Sequence, residues 1–154
     1  MHVLLATDAQ WVVDDVVAAL SGPDTSFTVC RNGRDVTEVV KRRTPDIAVL
    51  DMQSGSMGGM AVTMNLRLDE SSGAIQHIPV LMLLDRVADV FMARRSGADQ
   101  WLIKPLNPLA LQRAVHQILN PPVPVVEVES AGDDGDVEDA VIDETAEEQP
   151  APAG

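Results

Sequence analysis

The sequence predicts the α/β fold class: a doubly wound, five-stranded parallel sheet flanked by five helices. Along residues 1–120 the hydrophobic period switches repeatedly between short apolar runs and apolar residues at helical spacing. The connecting segments are short, and such regular alternation favours a single parallel sheet with its functional edge where the strands end. The chain has 154 residues, 45% of them hydrophobic, so we expect one domain with an adequate core.

The five predicted strands are short apolar runs that end in polar or turn-forming residues. The fourth is apolar from Ile78 to Leu84, which is typical of a central strand buried on both faces. The second ends in Cys30, the single cysteine, where we expect a small buried side chain and no intrachain disulfide. We predict strands at residues 2–6, 26–30, 47–51, 78–84 and 100–103.

The helices between the strands are predicted from apolar spacing and from residues that begin or end helices. Apolar residues recur on one face from Val12 to Leu20, and Gly22 and Pro23 then end the first helix. Gly97 ends the fourth, and Asn107 caps the fifth. We predict helices at about residues 12–20, 33–43, 60–70, 86–96 and 108–119.

The net charge of −13 belongs almost entirely to the last part of the chain. Residues 121–154 contain eleven of the 24 acidic residues and no lysine or arginine, which leaves residues 1–120 with thirteen acids and eleven bases. Direct nucleic-acid binding is not expected, since phosphate binding needs clustered basic residues. Proline, glycine and clustered acid predict that residues 121–154 are a disordered tail and not an attached DNA-binding domain.

We expect no targeting signal at the beginning of the chain. Met1-His2-Val3 lacks a basic region, and the apolar run there is too short for a signal peptide or a membrane span. We therefore expect a cytoplasmic protein without membrane insertion. The three histidines show no ligand spacing, and we assign them no function.

Charged residues follow three predicted strands at the point where each strand ends. Asp8 follows the first strand, Asp51 closes the third, and Lys104 follows the fifth. Because the carboxyl ends of parallel strands meet at one edge of the sheet, two acids and a lysine could share one site. Simpler interpretations remain open at this point: Asp51 as a turn aspartate, Asp8 as a strand terminator and Lys104 as a solvated loop residue.

With these residues in this order, residues 1–120 resemble the CheY-like receiver domain of bacterial two-component response regulators. The matching features are Asp51 after Ile47–Leu50, Asp8 after the first strand, and Lys104-Pro105 after Trp101. The resemblance implies the flavodoxin-like strand order 2-1-3-4-5. It also implies that Asp51 is the phosphoacceptor, Lys104 contacts the phosphoryl group, Trp101 is the switch aromatic, and the peptide bond before Pro105 is cis.

The resemblance also implies a magnesium site. A carboxylate that attacks a phosphoryl group brings negative charge towards negative charge, so a divalent cation is needed to neutralise both. Asp8 and Asp51 are hard oxygen ligands suited to Mg²⁺, and the main-chain carbonyl of Gln53 is implied as the third protein ligand.

Two positions depart from the pattern of the family. Thr7 stands where receivers usually have a second acid, so Mg²⁺ should bind more weakly, with Thr7 contacting it through water. Leu84 stands where receivers have a Ser or Thr whose hydroxyl binds the phosphoryl oxygen and whose movement lets the aromatic, here Trp101, turn inward. Leu84 cannot donate that hydrogen bond, which puts the usual switch in doubt.

The sequence therefore predicts a stand-alone response regulator receiver that signals by protein contacts. It would accept a phosphoryl group on Asp51 from a histidine kinase, a phosphotransfer protein or a small phosphodonor, and catalyse its own dephosphorylation with Mg²⁺. Its fourth helix, fifth strand and fifth helix would bind a downstream protein or a second copy of the chain. The alternative is a pseudo-receiver, a protein-interaction module that works without phosphorylation, which Thr7 and Leu84 favour. A flavodoxin-like cofactor binder has little support, because no glycine-rich phosphate loop follows the first strand.

Overall fold

A single parallel sheet of five strands organises the chain, in the order β2-β1-β3-β4-β5. The structure is a computed structural model that describes residues 1–124, so the predicted disorder of the tail falls, from residue 125 onward, outside the described residues. Residue contacts group Met1–Pro121 into one compact unit that contains every element named here. The strands are β1 His2–Ala6, β2 Ser26–Cys30, β3 Ile47–Asp51, β4 Val80–Leu84 and β5 Gln100–Ile103.

Five α-helices alternate with the strands and cover both faces of the sheet. Asn107 caps the last helix by accepting a hydrogen bond from the Ala110 N–H at 3.0 Å. Gly97 ends the fourth helix in the left-handed conformation (φ 92°), which glycine adopts without steric cost. Short 3₁₀ turns precede α2 and α4, at Gly33–Asp35 and Val87–Asp89. The helices are α1 Gln10–Leu20, α2 Val36–Arg42, α3 Gly59–Ser71, α4 Val90–Ser96 and α5 Pro108–Leu119.

The core lies on both faces of the sheet because alternate residues of each strand point to opposite sides. Leu5 and Val49 pack on one face with α1 and α5, whereas Leu4 and Leu50 pack on the other with α2 and α3. Every residue of β1, β3 and β4 is buried. The central strands are thereby fixed on two sides, which holds their carboxyl ends in register at one edge of the sheet.

The predicted fold class and strand order are confirmed, and the differences are local. The fourth strand begins at Val80 rather than Ile78, because Pro79 has no N–H to donate to a neighbouring strand. The third helix forms, but Met64 and Leu68, two of the residues from which it was predicted, are exposed. Among the described residues, no helix is long and apolar enough to span a membrane.

Candidate functional site

Asp51, the last residue of β3, has both carboxylate oxygens hydrogen-bonded although only 2% of the residue is exposed. Its Oδ1 accepts from Lys104 Nζ at 2.7 Å and from the Gln53 N–H at 3.1 Å. Its Oδ2 accepts from Thr7 Oγ1 at 2.8 Å. Burying a carboxylate is costly unless it is paired and hydrogen-bonded, and three donors from three loops satisfy that need here.

Thr7, which follows β1, is fully buried and directly contacts Asp51. Its backbone N–H donates to the Cys30 carbonyl at 3.1 Å, which extends the pairing of β1 with β2. Its hydroxyl accepts from the Ala9 N–H at 3.1 Å, so its own proton is free to be donated to Asp51. The sequence did not predict this direct hydrogen bond; its prediction that Thr7 reaches a metal through water stays a prediction.

Asp8 lies at the same edge but is exposed, and it holds the loop after β3. Its Oδ2 accepts from the Gly55 N–H at 2.7 Å. A Cβ added at Gly55 would lie 2.8 Å from the same oxygen, so this approach depends on the lack of a side chain. The carboxylate of Asp8 is therefore positioned by the backbone of the loop that begins at Gln53.

Lys104, directly after β5, is the cation of the site. Its N–H donates to the Leu84 carbonyl at 2.8 Å, and the Lys104–Pro105 peptide bond is cis, as the resemblance implies. Besides Asp51, Nζ contacts Asp85 Oδ1 at 3.0 Å. It also lies 5.5 Å from the centre of the Trp11 ring, within the range of a cation–π interaction.

Two features of the site, Asp85 and the contact of Trp11 with Lys104, are not among the residues predicted from the sequence. Asp85 directly follows β4, so the strand-end rule that selected Asp8 and Asp51 would have found it. The packing of Trp11 beneath Lys104 has no sequence signal, because it depends on how α1 and the loop after β5 approach each other in the fold.

Leu84 and Trp101 lie on the apolar side of the edge. Leu84 is fully buried in a cluster with Met52, Met82 and Ala93, and the half-buried Trp101 packs against that cluster. The guanidinium carbon of Arg94 also lies near Trp101, 5.4 Å from the centre of its ring. Leu84 therefore presents methyl groups at the position that the resemblance gives to a hydroxyl, and the switch role of Trp101 stays a prediction.

The turn between β4 and α4 is closed by an ion pair. The guanidinium of Arg86 contacts the buried Asp89 through two hydrogen bonds, at 2.7 Å and 3.3 Å. These hydrogen bonds and the positive charge of Arg86 lower the pKa of Asp89, and the carboxylate in turn raises the pKa of Arg86. Arg86 thus has a structural partner within its own turn.

The donor set at this edge fits magnesium. Within residues 1–124, no group of three or more histidine, cysteine or acidic side chains is arranged to hold a metal ion. Mg²⁺ does not need such a group, since it keeps several waters and is usually bound by one or two carboxylates. Asp8, Asp51 and the carbonyl of Gln53 would supply two carboxylates and one neutral oxygen, and Thr7 adds no charge to them.

A five-stranded parallel sheet in this order, with an aspartate closing β3 and a Lys-Pro pair after β5, defines a receiver domain. The family model for the response regulator receiver domain matches residues 3–116, and the chain belongs to this family. The prediction made from the residues is therefore confirmed at the level of the family.

Similar curated proteins are response regulators of greater length. The transcriptional regulatory protein CseB of Streptomyces avermitilis is 28% identical over 120 residues, which is 77% of this chain and 48% of that protein. The DNA-binding response regulator MtrA of Mycobacterium tuberculosis is 27% identical over 112 residues, which is 71% of this chain and 46% of that protein. The chain thus spans about half the length of these relatives.

Solved structures agree on the fold. The chemotaxis response regulator CheY4 of Vibrio cholerae superposes with a TM-score of 0.67 at 22% identity, covering 77% of this chain and 98% of that one. The receiver domain of a sensor histidine kinase from Pseudomonas aeruginosa, described with a magnesium ion coordinated in its active-site cleft, gives 0.64 at 20% identity, covering 77% and 96%. At this identity the likeness is one of fold.

Proposed function

We propose that this receiver accepts a phosphoryl group on Asp51 and that the modified domain signals through contacts with another protein. The observation that supports this best is the surrounding of Asp51, which a lysine and a backbone amide approach at one oxygen and a hydroxyl at the other. These donors hold the carboxylate in one orientation for attack.

The proposed reaction is a simple phosphoryl transfer. An oxygen of Asp51 forms a bond to phosphorus as the bond between phosphorus and the leaving group of the donor breaks, and the leaving group departs with the electron pair. Lys104 offers a positive charge to the oxygens of the transferred group. At about 4 Å and an effective dielectric near 20 this attraction is worth about 4 kcal/mol before desolvation is subtracted.

The partners proposed for the reaction follow from the family. Asp8, Asp51 and the Gln53 carbonyl would hold Mg²⁺, which would neutralise negative charge during the transfer. A histidine kinase, a phosphotransfer protein or a small phosphodonor such as acetyl phosphate supplies the phosphoryl group. We place the protein in the cytoplasm and the boundary of the receiver domain at residue 120, with residues 121–154 as an acidic tail.

The surface formed by α4, β5 and α5 carries the exposed apolar side chains that a protein contact needs. Val87 in the 3₁₀ turn before α4 and Phe91 in α4 are 73% and 66% exposed, and Leu109 on α5 is 59% exposed. Large exposed apolar side chains favour a protein-binding role where they form a patch. This surface would contact a downstream protein, and it is also a candidate homodimer surface.

A second function, the pseudo-receiver, is favoured by Leu84. Its buried side chain fills the place of the hydroxyl that would contact a phosphoryl oxygen, and it packs with Met82 and Ala93 as an ordinary core residue. In this alternative the domain binds its partner in the unmodified state, and the concentration of the partner controls the signal.

Intact-mass measurement of the full chain after incubation with acetyl phosphate distinguishes the two functions. We expect one phosphoryl adduct that requires Mg²⁺ and is lost in Asp51→Asn. The matched control is Asp15→Asn, an exposed carboxylate on α1, which should retain the adduct.

A second measurement is needed because a receiver that accepts phosphate only from its own kinase would show no adduct with acetyl phosphate. Beryllofluoride mimics an acyl phosphate, and its binding with Mg²⁺ would be followed by Trp11 fluorescence in a Trp101→Phe background. Binding that depends on Asp51 would support the receiver even without an adduct. Absence of both adduct and beryllofluoride binding would establish the pseudo-receiver instead.

A further inference from the structure

Lys104 is shared between two carboxylates. Its Nζ lies 2.7 Å from Asp51 Oδ1 and 3.0 Å from Asp85 Oδ1, and its side chain is only 10% exposed. The two acids differ in their surroundings, because the Asp51 side chain is 1% exposed and the Asp85 side chain is 40% exposed. Asp51 is held in place, whereas Asp85 stands at the open side of the site.

Asp85 forms its ion pair with Lys104 and not with the neighbouring Arg86. Arg86 directs its guanidinium to Asp89 at 2.7 Å, and Asp85 forms no other ion pair within residues 1–124. The ammonium of Lys104 donates a hydrogen bond to Asp51, whereas its contact with Asp85 is an ion pair at 3.0 Å. A phosphoryl group that reaches Asp51 therefore has to share the positive charge of Lys104 with the Asp85 carboxylate.

The position of Asp85 also adds negative charge where a phosphoryl group must enter. Asp8, Asp51 and Asp85 follow three different strands at one sheet edge, and Lys104 is the cation that contacts both Asp51 and Asp85. A phosphoryl donor is itself anionic, so Asp85 opposes its binding in two ways. The Asp85 carboxylate repels the donor, and it partly neutralises the charge of Lys104.

We propose that Asp85 is an internal competitor for Lys104 that lowers the rate of phosphoryl loading on Asp51. This inference rests on the proposed function and adds a regulatory residue to the same site. The Asp85 carboxylate must move away from Lys104 before the ammonium can fully contact a phosphoryl oxygen. Because Asp85 is partly exposed, water can solvate its carboxylate after it moves.

The test compares the initial rate of loading by acetyl phosphate with Mg²⁺ in the natural sequence, Asp85→Asn and Asp85→Ala. We expect both variants to be loaded about two- to fivefold faster at low ionic strength, the size that one partly exposed ion pair supports. The part of the gain that comes from repulsion between Asp85 and the approaching anionic donor should shrink as salt is raised to about 1 M, where the screening length is about 3 Å. A purely structural role of Asp85 would not produce this salt dependence.

Asp15→Asn is the matched control, since it removes an exposed carboxylate of α1 and should leave the rate unchanged. If the natural sequence is loaded and both Asp85 variants are loaded no faster than Asp15→Asn, the competition is overturned while the proposed function stands. If the Asp85 variants are loaded and the natural sequence is not, the competition of Asp85 for Lys104 is supported, and it prevents loading altogether. If no chain is loaded and none binds beryllofluoride, the proposed function itself fails and the inference fails with it.

Discussion

The two sides of the sheet edge are built from different interactions. Where β1 and β3 end and the loop after β5 begins, Thr7 and Lys104 contact Asp51 through hydrogen bonds and an ion pair at 2.7–2.8 Å. Near α4, Leu84 at the end of β4 and Trp101 on β5 are held by apolar packing, and a separate ion pair closes the turn before α4. One side is polar and suited to chemistry, whereas the other is apolar and fixed like a core.

If the proposed function holds, this difference indicates that accepting a phosphoryl group and reporting it are separate properties of this domain. The polar side carries the donors and the carboxylate that the proposed loading needs. The apolar side has a leucine where a hydroxyl would link the phosphoryl group to the movement of an aromatic. Substitutions on the two sides should therefore affect different measurements: the loading of Asp51 on the polar side and the free energy of unfolding on the apolar side.

The largest expected effect is the loss of stability in Leu84→Ala. Leu84 is fully buried, so its truncation leaves a cavity and should lower the free energy of unfolding by about 2–5 kcal/mol. The loading of Asp51, measured by intact mass under native conditions, should persist. Urea unfolding would measure the loss, with Leu109→Ala, at a 59% exposed leucine, as the control expected to change little. A Leu84→Ala chain that folds normally but is not loaded would show that the apolar side also controls loading.

In Lys104→Met we expect loading to be lost, in contrast to Leu84→Ala. Methionine replaces the side chain as far as Cε and removes the charged Nζ. Removing a preorganised donor from developing negative charge typically costs about 10²-fold in rate, and we expect a loss of that size in loading by acetyl phosphate. The chain has one other lysine, Lys41, which is half-exposed on α2, and Lys41→Met is the matched control. Equal loading of both variants would show that the polar side does not depend on its cation.

Much of this edge could be predicted because strand ends in a parallel sheet converge. Asp8, Asp51 and Lys104 were selected by that rule, and the structure places Lys104 against Asp51. The direct bond from Thr7 to Asp51 could not be predicted, because it depends on the backbone path after β1. Asp85 could have been found by the same rule.

The exposed positions on α3 show a different limit. Met64 and Leu68 are apolar and were used to predict the helix, yet the face that packs on the sheet is that of Val62 and Leu66. Periodicity identified the helix correctly, but with apolar residues on several sides it did not determine which face is buried. Tertiary packing made that choice.

The smallest expected effect is a pH dependence on the apolar side, from the pair of Arg86 and Asp89. The hydrogen bonds and charge of Arg86 lower the pKa of Asp89 in the folded chain, so the unfolded chain binds this proton more readily. The pair therefore stabilises the fold above the ordinary pKa of an aspartate, and this contribution disappears as pH falls through the lowered pKa.

Arg86→Gln tests that contribution because it removes the cation and keeps a polar side chain. We expect the difference in the free energy of unfolding between the natural sequence and Arg86→Gln to be greatest near neutral pH and to disappear as pH falls through the lowered pKa of Asp89, as followed by urea unfolding. It should be modest because the Arg86 side chain is 69% exposed to water. The rate of Asp51 loading should not change at neutral pH. A change in that rate would mean that the turn before α4 acts on the polar side, and that the two sides are coupled without a hydroxyl at Leu84.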